Sequence, residues 1–131
     1  MNTVKTLLVL ISILILNSCA TTAKFPISSL VPAADISAKK KTDSNKNITL
    51  EITAENLASP NRLNPSGNNY SIWIVTKDNA IKNVGQLIIK NAKKSTFKSI
   101  TPFDFSEVFI TVENHRDLPA PAGKEISRTK I

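Results

Sequence analysis

The chain has 131 residues, a single cysteine and a formal net charge of +7. Without residues 1–18, discussed below, 113 residues remain, which is enough for one domain with one hydrophobic core and too few for two. One cysteine excludes an intrachain disulfide. Aromatic residues make up only 5% of the sequence, so the core is expected to consist mainly of Ile, Leu and Val.

Residues 1–18 have the layout of a secretory signal peptide. Lys5 is their only charged side chain, and it precedes an apolar run at residues 6–16 that only Ser12 interrupts. A membrane-spanning helix needs about 20 apolar residues, whereas this run has 11. The pattern therefore predicts a leader that is cleaved.

The apolar run ends in Leu16, Asn17, Ser18 and Cys19, a stretch that is similar to the bacterial lipoprotein signal. In that signal the small residue fits a peptidase pocket, and the cysteine thiol accepts a diacylglyceryl group. Cleavage would leave Cys19 as a lipidated N-terminus, and acyl chains such as palmitate would anchor it at about 0.8 kcal/mol per buried methylene. The alternative is a buried structural cysteine or an unmodified secretory residue.

Residues 19–32 are expected to form the lipidated cysteine and a tether, and residues 33–131 the domain. The tether segment contains small residues and two prolines and has no helical or strand period. Phe25, Ile27 and Leu30 are large apolar residues, which are unusual in a free linker. Part of the segment is therefore expected to pack back on the domain.

The domain is expected to consist of short strands. In NITLEITAEN, Ile48, Leu50, Ile52 and Ala54 fall on one face of a strand, whereas a helix would scatter them. Similar patterns predict six more strands, at residues 34–40, 70–76, 84–90, 95–100, 108–114 and 124–129. Seven short strands separated by turn residues predict an all-β antiparallel β-sandwich, with a closed barrel as the alternative.

The strand SIWIV is apolar on both faces, so alternation alone does not determine which face points towards the core. Trp73 and Val75 share one face, and Ile72 and Ile74 share the other. Trp73 buries the largest area and its indole N–H can find a partner at the core edge, which favours Trp73 facing the core. Ile72 and Ile74 are then expected to be covered by a neighbouring segment or to form an apolar binding patch.

The segments YSIWIVTKDNAIKNVGQL and VFITVENHRDLPAPAGKEI resemble the extracytoplasmic C-terminal domain of anti-sigma-K-type factors. The matching positions are Tyr70, Trp73, Gly85, Thr111, Glu113, Pro121 and Gly123. The resemblance covers most of residues 34–131 and implies an immunoglobulin-like sandwich, as in a group of small Bacteroidetes lipoproteins that the chain also resembles. The chain departs from the family at residues 114–117, where the family commonly has glycines.

Structural roles are sufficient for these matching positions. Gly85 is expected to permit a close approach or a positive φ, and Gly123 after Pro121 to shape the entry to the last strand. Glu113 shares the parity of Thr111 and is expected to face water or a cross-strand lysine. The regulatory role of the family is not expected to transfer, because five residues before the apolar run cannot form a cytoplasmic sigma-binding domain.

The sequence contains no catalytic or metal-binding pattern. His115 is the only histidine, and it lies in a polar stretch beside Arg116 and Asp117, where a solvated loop histidine is expected. There is no Cys/His spacing for zinc, no EF-hand loop and no phosphate-binding or dinucleotide glycine motif. The chain is therefore predicted to be a non-enzyme without catalytic residues, metals or cofactors.

Loss of Lys5 with the leader lowers the formal charge to +6. Such a surface is either simply solvated or attracted to anionic lipid or polymer. Nucleic acid is not expected, because the basic residues are not interleaved with aromatic side chains.

Several functions remain open. The first is a lipid-anchored, non-catalytic module that binds an envelope protein or an anionic polymer. The second is a structural envelope component lying on anionic lipid through its basic surface, and the third is an extracytoplasmic sensory partner in an anti-sigma-type pathway.

The residues after Cys19 predict the location. Ala20 stands where, by resemblance to other lipoproteins, an aspartate would favour retention in the inner membrane. CATTAKFP also lacks the acidic cluster that resembles a surface-export signal. The outer membrane, with the domain facing the periplasm, is therefore expected.

Overall fold

A computed structural model describes residues 19–131, so the predicted signal peptide lies outside the described residues. The described part is all-β apart from one 3-10 turn at Pro60–Arg62. Its strands are β1 (Cys19–Lys24), β2 (Asp35–Thr42), β3 (Ile48–Glu55), β4 (Asn69–Thr76), β5 (Ile81–Leu87), β6 (Lys94–Thr101), β7 (Phe105–Glu113) and β8 (Lys124–Lys130).

These strands form two antiparallel sheets of four strands each. The first sheet has the order β1-β2-β3-β6, and the second has the order β5-β4-β7-β8. Side chains of both sheets share one buried core, so the fold is β-sandwich-like. The described strands do not close into a single barrel.

All seven predicted strands are present, with shifts at their ends. The largest shift is in β5, which is predicted at residues 84–90 and begins at Ile81. The preceding turn closes early, because the backbone N–H of Thr76 donates to the carbonyl of Ala80 at 2.9 Å. Strand pairing can therefore resume at the next residue.

The segment predicted as a tether contains an eighth strand, so that prediction is wrong for its first part. β1 pairs with β2 along its whole length, from Cys19 opposite Thr42 to Lys24 opposite Ser37. The sequence CATTAK gives no alternation of large apolar residues, because five of the six residues of this edge strand are exposed. Backbone hydrogen bonds to β2, rather than burial, hold it in the sheet.

The rest of that segment packs on the domain only in part. Phe25 and Val31 are buried and belong to the main core, and Leu30 packs against it. Ile27 in contrast is 81% exposed. The expectation of partial packing is therefore confirmed, although Ile27 does not contribute to it.

The main core lies between the two sheets and is rich in isoleucine. From the first sheet, Ile48, Leu50, Ile52 and Ala54 of β3 all point inward and are at most 3% exposed, as their alternation predicts. The second sheet contributes Tyr70, Ile72, Ile74, Val108, Ile110 and Val112. Strand alternation therefore accounts for both walls of the core.

The orientation predicted for Trp73 is wrong. Ile72 and Ile74 face the main core, and Trp73 lies on the outer face of the second sheet in a separate cluster. That cluster consists of Trp73, Val75, Phe109 and the partly buried Leu118. Trp73 is nevertheless 0% exposed, because the loop at residues 114–123, which contains Leu118, lies over this face. The outer apolar face is thus covered rather than open.

Close contacts also link the edges of the two sheets. Phe97 of β6 packs against Gly85 of β5, which has a φ of +138° and where an added Cβ would lie 2.8 Å from the Phe97 ring. Both properties expected of Gly85 are therefore confirmed. At the other edge, the Ser127 hydroxyl of β8 donates to the carbonyl of Pro26 at 2.9 Å, which ties β8 to the chain that follows β1.

Candidate functional site

The two ends of the sandwich carry different features. Cys19 lies opposite Thr42 in the β1–β2 pairing, and Ile48 lies opposite Thr101 in the β3–β6 pairing. Cys19 therefore lies at the end that holds the β2–β3 and β6–β7 turns, which we name the Cys19 end. The opposite end holds the long loops after β3, β5 and β7, and we name it the loop end.

Glu113 fixes the loop after β7. The prediction that Glu113 faces water or a lysine is wrong, because this residue is only 2% exposed. Its strand parity is as predicted, but the loop folds back over it. The backbone N–H groups of Ala122 and Gly123 donate to its carboxylate at 3.1 and 2.7 Å. A buried carboxylate bound in this way holds the end of the loop against β7.

A buried chain of hydrogen bonds connects Trp73 to Glu113. Nε1 of Trp73 donates to Oγ1 of Thr111 at 2.8 Å, and the Thr111 hydroxyl donates to Oε1 of Glu113 at 2.7 Å. None of the three residues is more than 2% exposed. Three positions of the family resemblance thus share one structural role, which is to hold the loop over the outer face of the second sheet.

Gly123 and Pro121 lie where this loop returns to β8. A Cβ on Gly123 would lie 1.7 Å from the carbonyl oxygen of Val112, so a side chain here would collide with the backbone of β7. Pro121 is partly buried two residues earlier. These two residues shape the path of the backbone and bring no reactive group to the loop end.

Tyr70 connects β4 to the loop after β3. Its phenol donates to the carbonyl of Ala58 at 2.6 Å, and burial raises the pKa of Tyr70 to about 12. The phenol therefore stays protonated and continues to donate at neutral pH. This bond fixes one wall of the cleft described next.

A cleft of about 570 Å³ opens at the loop end. Its floor is formed by residues 86–89, and its walls by residues of the loop after β3 and by residues 114–116. Nδ2 of Asn68 donates to the carbonyl of Asn114 at 2.9 Å, so the two walls are tied together. The volume falls in the range of about 300–1,000 Å³ that is typical of ligand sites.

A second depression of about 330 Å³ adjoins this cleft, because Gln86 and Ile88 line both. Lys90, Lys94 and Lys98 lie along it, contributed by the loop after β5 and by β6. We name the two depressions together the groove.

The groove is positively charged. None of the described residues that line it is Asp or Glu, whereas Arg116, Lys90, Lys94 and Lys98 supply cations. Lys98 is partly neutralised by Glu51, whose carboxylate lies 3.6 Å away. The other three cations form no ion pair within residues 19–131. Such a lining attracts anions.

His115 lies on the wall of the cleft and is exposed, as expected of a solvated loop histidine. Within residues 19–131, no group of three or more His, Cys, Asp or Glu side chains is placed to hold a metal ion. In the same part of the chain, no helix is long and apolar enough to cross a membrane.

Cys19 is a free, exposed thiol at the start of β1. Leu16, Asn17 and Ser18, which complete the predicted lipoprotein signal, lie outside the described residues. The exposed position leaves the Cys19 sulfur accessible to a modifying group.

The groove is not predicted from the sequence. The sequence features that could have indicated the groove are the several amide side chains in SPNRLNPSGNN and the basic segments KNAKK and NHR. These segments are far apart along the chain, so only the strand order brings them to one end of the fold.

No protein-family model, curated protein or solved structure matches this chain. Its function is therefore inferred from the residues and the geometry described above.

Proposed function

We propose that this chain is a lipid-anchored envelope protein that acts as a non-catalytic binding module. A lipid on Cys19 would hold the Cys19 end at the membrane, and the groove at the loop end would take the ligand. The observation that carries this proposal is the separation of the exposed Cys19 from the groove. An 8-residue strand such as β3 spans about 26 Å at ~3.3 Å per residue, so the cleft at the loop end would face away from the bilayer, and the second depression would extend from it towards Lys98, opposite the middle of β3.

The pairing of β1 supports a fixed orientation on the membrane. Residues 20–24 belong to the first sheet, so no flexible tether would separate a lipidated Cys19 from the domain. Lys41, Lys46 and Lys130 are exposed at the Cys19 end and form no ion pair within the described residues. They would meet the headgroups of anionic lipid, each contributing about 1 kcal/mol.

The same lysines favour a second candidate, a structural component that lies on anionic lipid or polymer through its basic surface. Binding of that kind is driven by charge alone. Binding of the delipidated domain to vesicles of anionic lipid should therefore collapse when the ionic strength rises from 0.01 to 0.15 M, because the Debye length falls from ~30 to ~8 Å. A shape-specific contact with an envelope protein should largely survive that change, whereas binding that depends on the cations of the groove should be lost when those residues are replaced and kept when the lysines of the Cys19 end are replaced.

The proposal includes an immunoglobulin-like fold and a place in the outer membrane, facing the periplasm. Two four-stranded antiparallel sheets and the resemblance to anti-sigma-K-type extracytoplasmic domains support the first part. Ala20 and the absence of acidic residues from CATTAKFP support the second. A sensory role in an anti-sigma-type pathway is a third candidate that rests on the resemblance.

Growth of cells on labelled palmitate tests the anchor. The wild-type protein is expected to carry label and to fractionate with the outer membrane. Cys19→Ser is the matched variant, because it keeps the size and polarity of the side chain but removes the thiol, and it is expected to be unlabelled. An unlabelled wild-type protein, or equal label in both, would contradict the proposal.

A further inference from the structure

We propose that the groove binds a segment of an acidic glycan, meaning a sugar chain that bears carboxylate or phosphate groups. This inference names the ligand class of the binding module proposed above and rests on that proposal. It draws only on residues of the loop end and does not depend on the lipid at Cys19.

The distribution of positive charge along the groove is the first reason. Arg116 lies in one depression, and Lys90 and Lys94 lie in the other. The planar guanidinium of Arg116 can bind a carboxylate or phosphate through two parallel hydrogen bonds. Because the cations are spread over two adjoining depressions, they match repeated negative charges along a chain better than one compact anion.

The amides of the groove are the second reason. Its lining includes Asn68, Asn69, Gln86, Asn91 and Asn114. An amide side chain offers both donors and acceptors. Asn68, Asn69, Gln86 and Asn91 use part of this capacity within the fold. The donors and acceptors that remain suit hydroxyl groups, because each hydroxyl also donates and accepts. A sugar chain supplies such hydroxyls at every unit, whereas a bare phosphate chain supplies none.

Exposed apolar surface where the two depressions meet is the third reason. Ile88 lines both parts and is 56% exposed, and Phe97 lines the second part. The C–H faces of sugar rings can cover such surface and remove it from water.

No carboxylate opposes an acidic ligand along the described lining of the groove. Asp117 follows Arg116 but is not part of that lining. With the Gln86 amide oriented to pair with it, the Asp117 carboxylate accepts a hydrogen bond from that amide at 3.2 Å. Glu51 and Glu55 lie opposite Lys98 and Lys94 in the pairing of β3 with β6, so the positive charge along the groove is reduced at these positions but is not opposed by a lining carboxylate.

Fluorescence anisotropy with labelled polygalacturonate tests this inference on the full-length protein, purified from membranes in a non-ionic polyoxyethylene detergent. The variant combines Lys90→Gln with Lys94→Gln. The matched control combines Lys46→Gln with Lys130→Gln, which removes the same charge from exposed positions at the Cys19 end.

The wild-type protein is expected to bind polygalacturonate and to bind neutral dextran much more weakly. Loss of one exposed ionic contact weakens affinity about 1.4- to 5-fold, so the groove variant is expected to bind about two- to thirtyfold more weakly. The control is expected to bind as tightly as the wild type.

Four results would overturn the inference. They are no binding of polygalacturonate, equal binding of dextran, an equal loss in the control variant, and binding of inorganic polyphosphate with the same affinity and the same dependence on Lys90 and Lys94. The last result would mean that the groove takes charge without sugar. Absence of lipid on Cys19 would overturn the anchor instead, and it would leave the binding result standing.

Discussion

Replacement of Thr111 by Val tests the buried hydrogen-bonded chain that holds the loop after β7. Val has the shape of Thr without the hydroxyl, so packing is retained while two hydrogen bonds are lost. The indole N–H of Trp73, which is 0% exposed, would be left without a partner. Glu113 would keep only its two backbone donors, from Ala122 and Gly123.

The expected loss of stability follows from these two bonds. A buried donor left unpaired costs about 1–3 kcal/mol, and a lost hydrogen bond to a charged group costs about 1.5–3 kcal/mol. The free energy of unfolding should therefore fall by about 2.5–6 kcal/mol in Thr111→Val, which is a large part of the 5–15 kcal/mol typical of a domain. Thr111→Ser keeps the hydroxyl and loses one methyl, so it should cost only about 0.8 kcal/mol.

Urea unfolding followed by tryptophan fluorescence measures these differences, because Trp73 is the only tryptophan in the chain. Thr96→Val makes the same chemical change at an exposed position of the first sheet, and it should change stability by no more than about 0.5 kcal/mol. Equal stability of Thr111→Val and Thr111→Ser would show that the Thr111 hydroxyl does not stabilise the fold.

Two further changes test other parts of the fold. Gly123→Ala places a Cβ 1.7 Å from the Val112 carbonyl oxygen, so it should lower the Tm measured by circular dichroism; an unchanged Tm would contradict the close approach. Hydrogen bonds from Lys40, which has the larger effect, and from Lys77 lower the pKa of Asp104 from 3.8 to about 2. Because folding lowers this pKa, the associated stability is present above pH 3.8 and is lost as the pH falls towards about 2. Urea unfolding at several pH values should show a weaker acid dependence for Asp104→Asn, and identical profiles would contradict the assignment.

Alternation along the strands made the main core predictable. β3 shows why, since Ile48, Leu50, Ile52 and Ala54 alternate with polar residues and all point inward. β1 was not predictable in the same way, because CATTAK forms an edge strand that buries little. β1 is held in the sheet by backbone pairing with β2, and such pairing requires no alternation of apolar and polar side chains.

The orientations of Trp73 and Glu113 depend on a segment distant in sequence. Both lie on the face of the second sheet that is opposite the main core, whereas the sequence predicted that Trp73 faces the core and that Glu113 faces water or a lysine. The loop at residues 114–123 covers that face, and it can do so because Glu113 binds the backbone of Ala122 and Gly123. Alternation shows that two faces are apolar but does not show what covers each one.

The groove was unpredictable for a related reason. Asn68, Lys94 and Arg116 are separated by more than 20 residues along the chain. They line one site because the loops after β3, β5 and β7 all lie at the loop end. Amide-rich and basic segments are visible in the sequence, but only the strand order brings them together.

Quenching of a dye by headgroup-labelled lipid tests the anchor at Cys19 and the orientation of the groove in one measurement. Two variants, Lys46→Cys and His115→Cys, each carry one dye on the introduced cysteine. Both are studied as lipidated proteins in vesicles, where lipid occupies the Cys19 thiol and the dye cannot react with it. The dye at residue 46 is expected to be quenched strongly. The dye at residue 115, separated from the membrane by the length of an 8-residue strand or about 26 Å, is expected to be quenched weakly. Equal quenching at both positions, stronger quenching at residue 115 or no quenching at either would contradict an anchor at Cys19 with the groove facing away from the membrane.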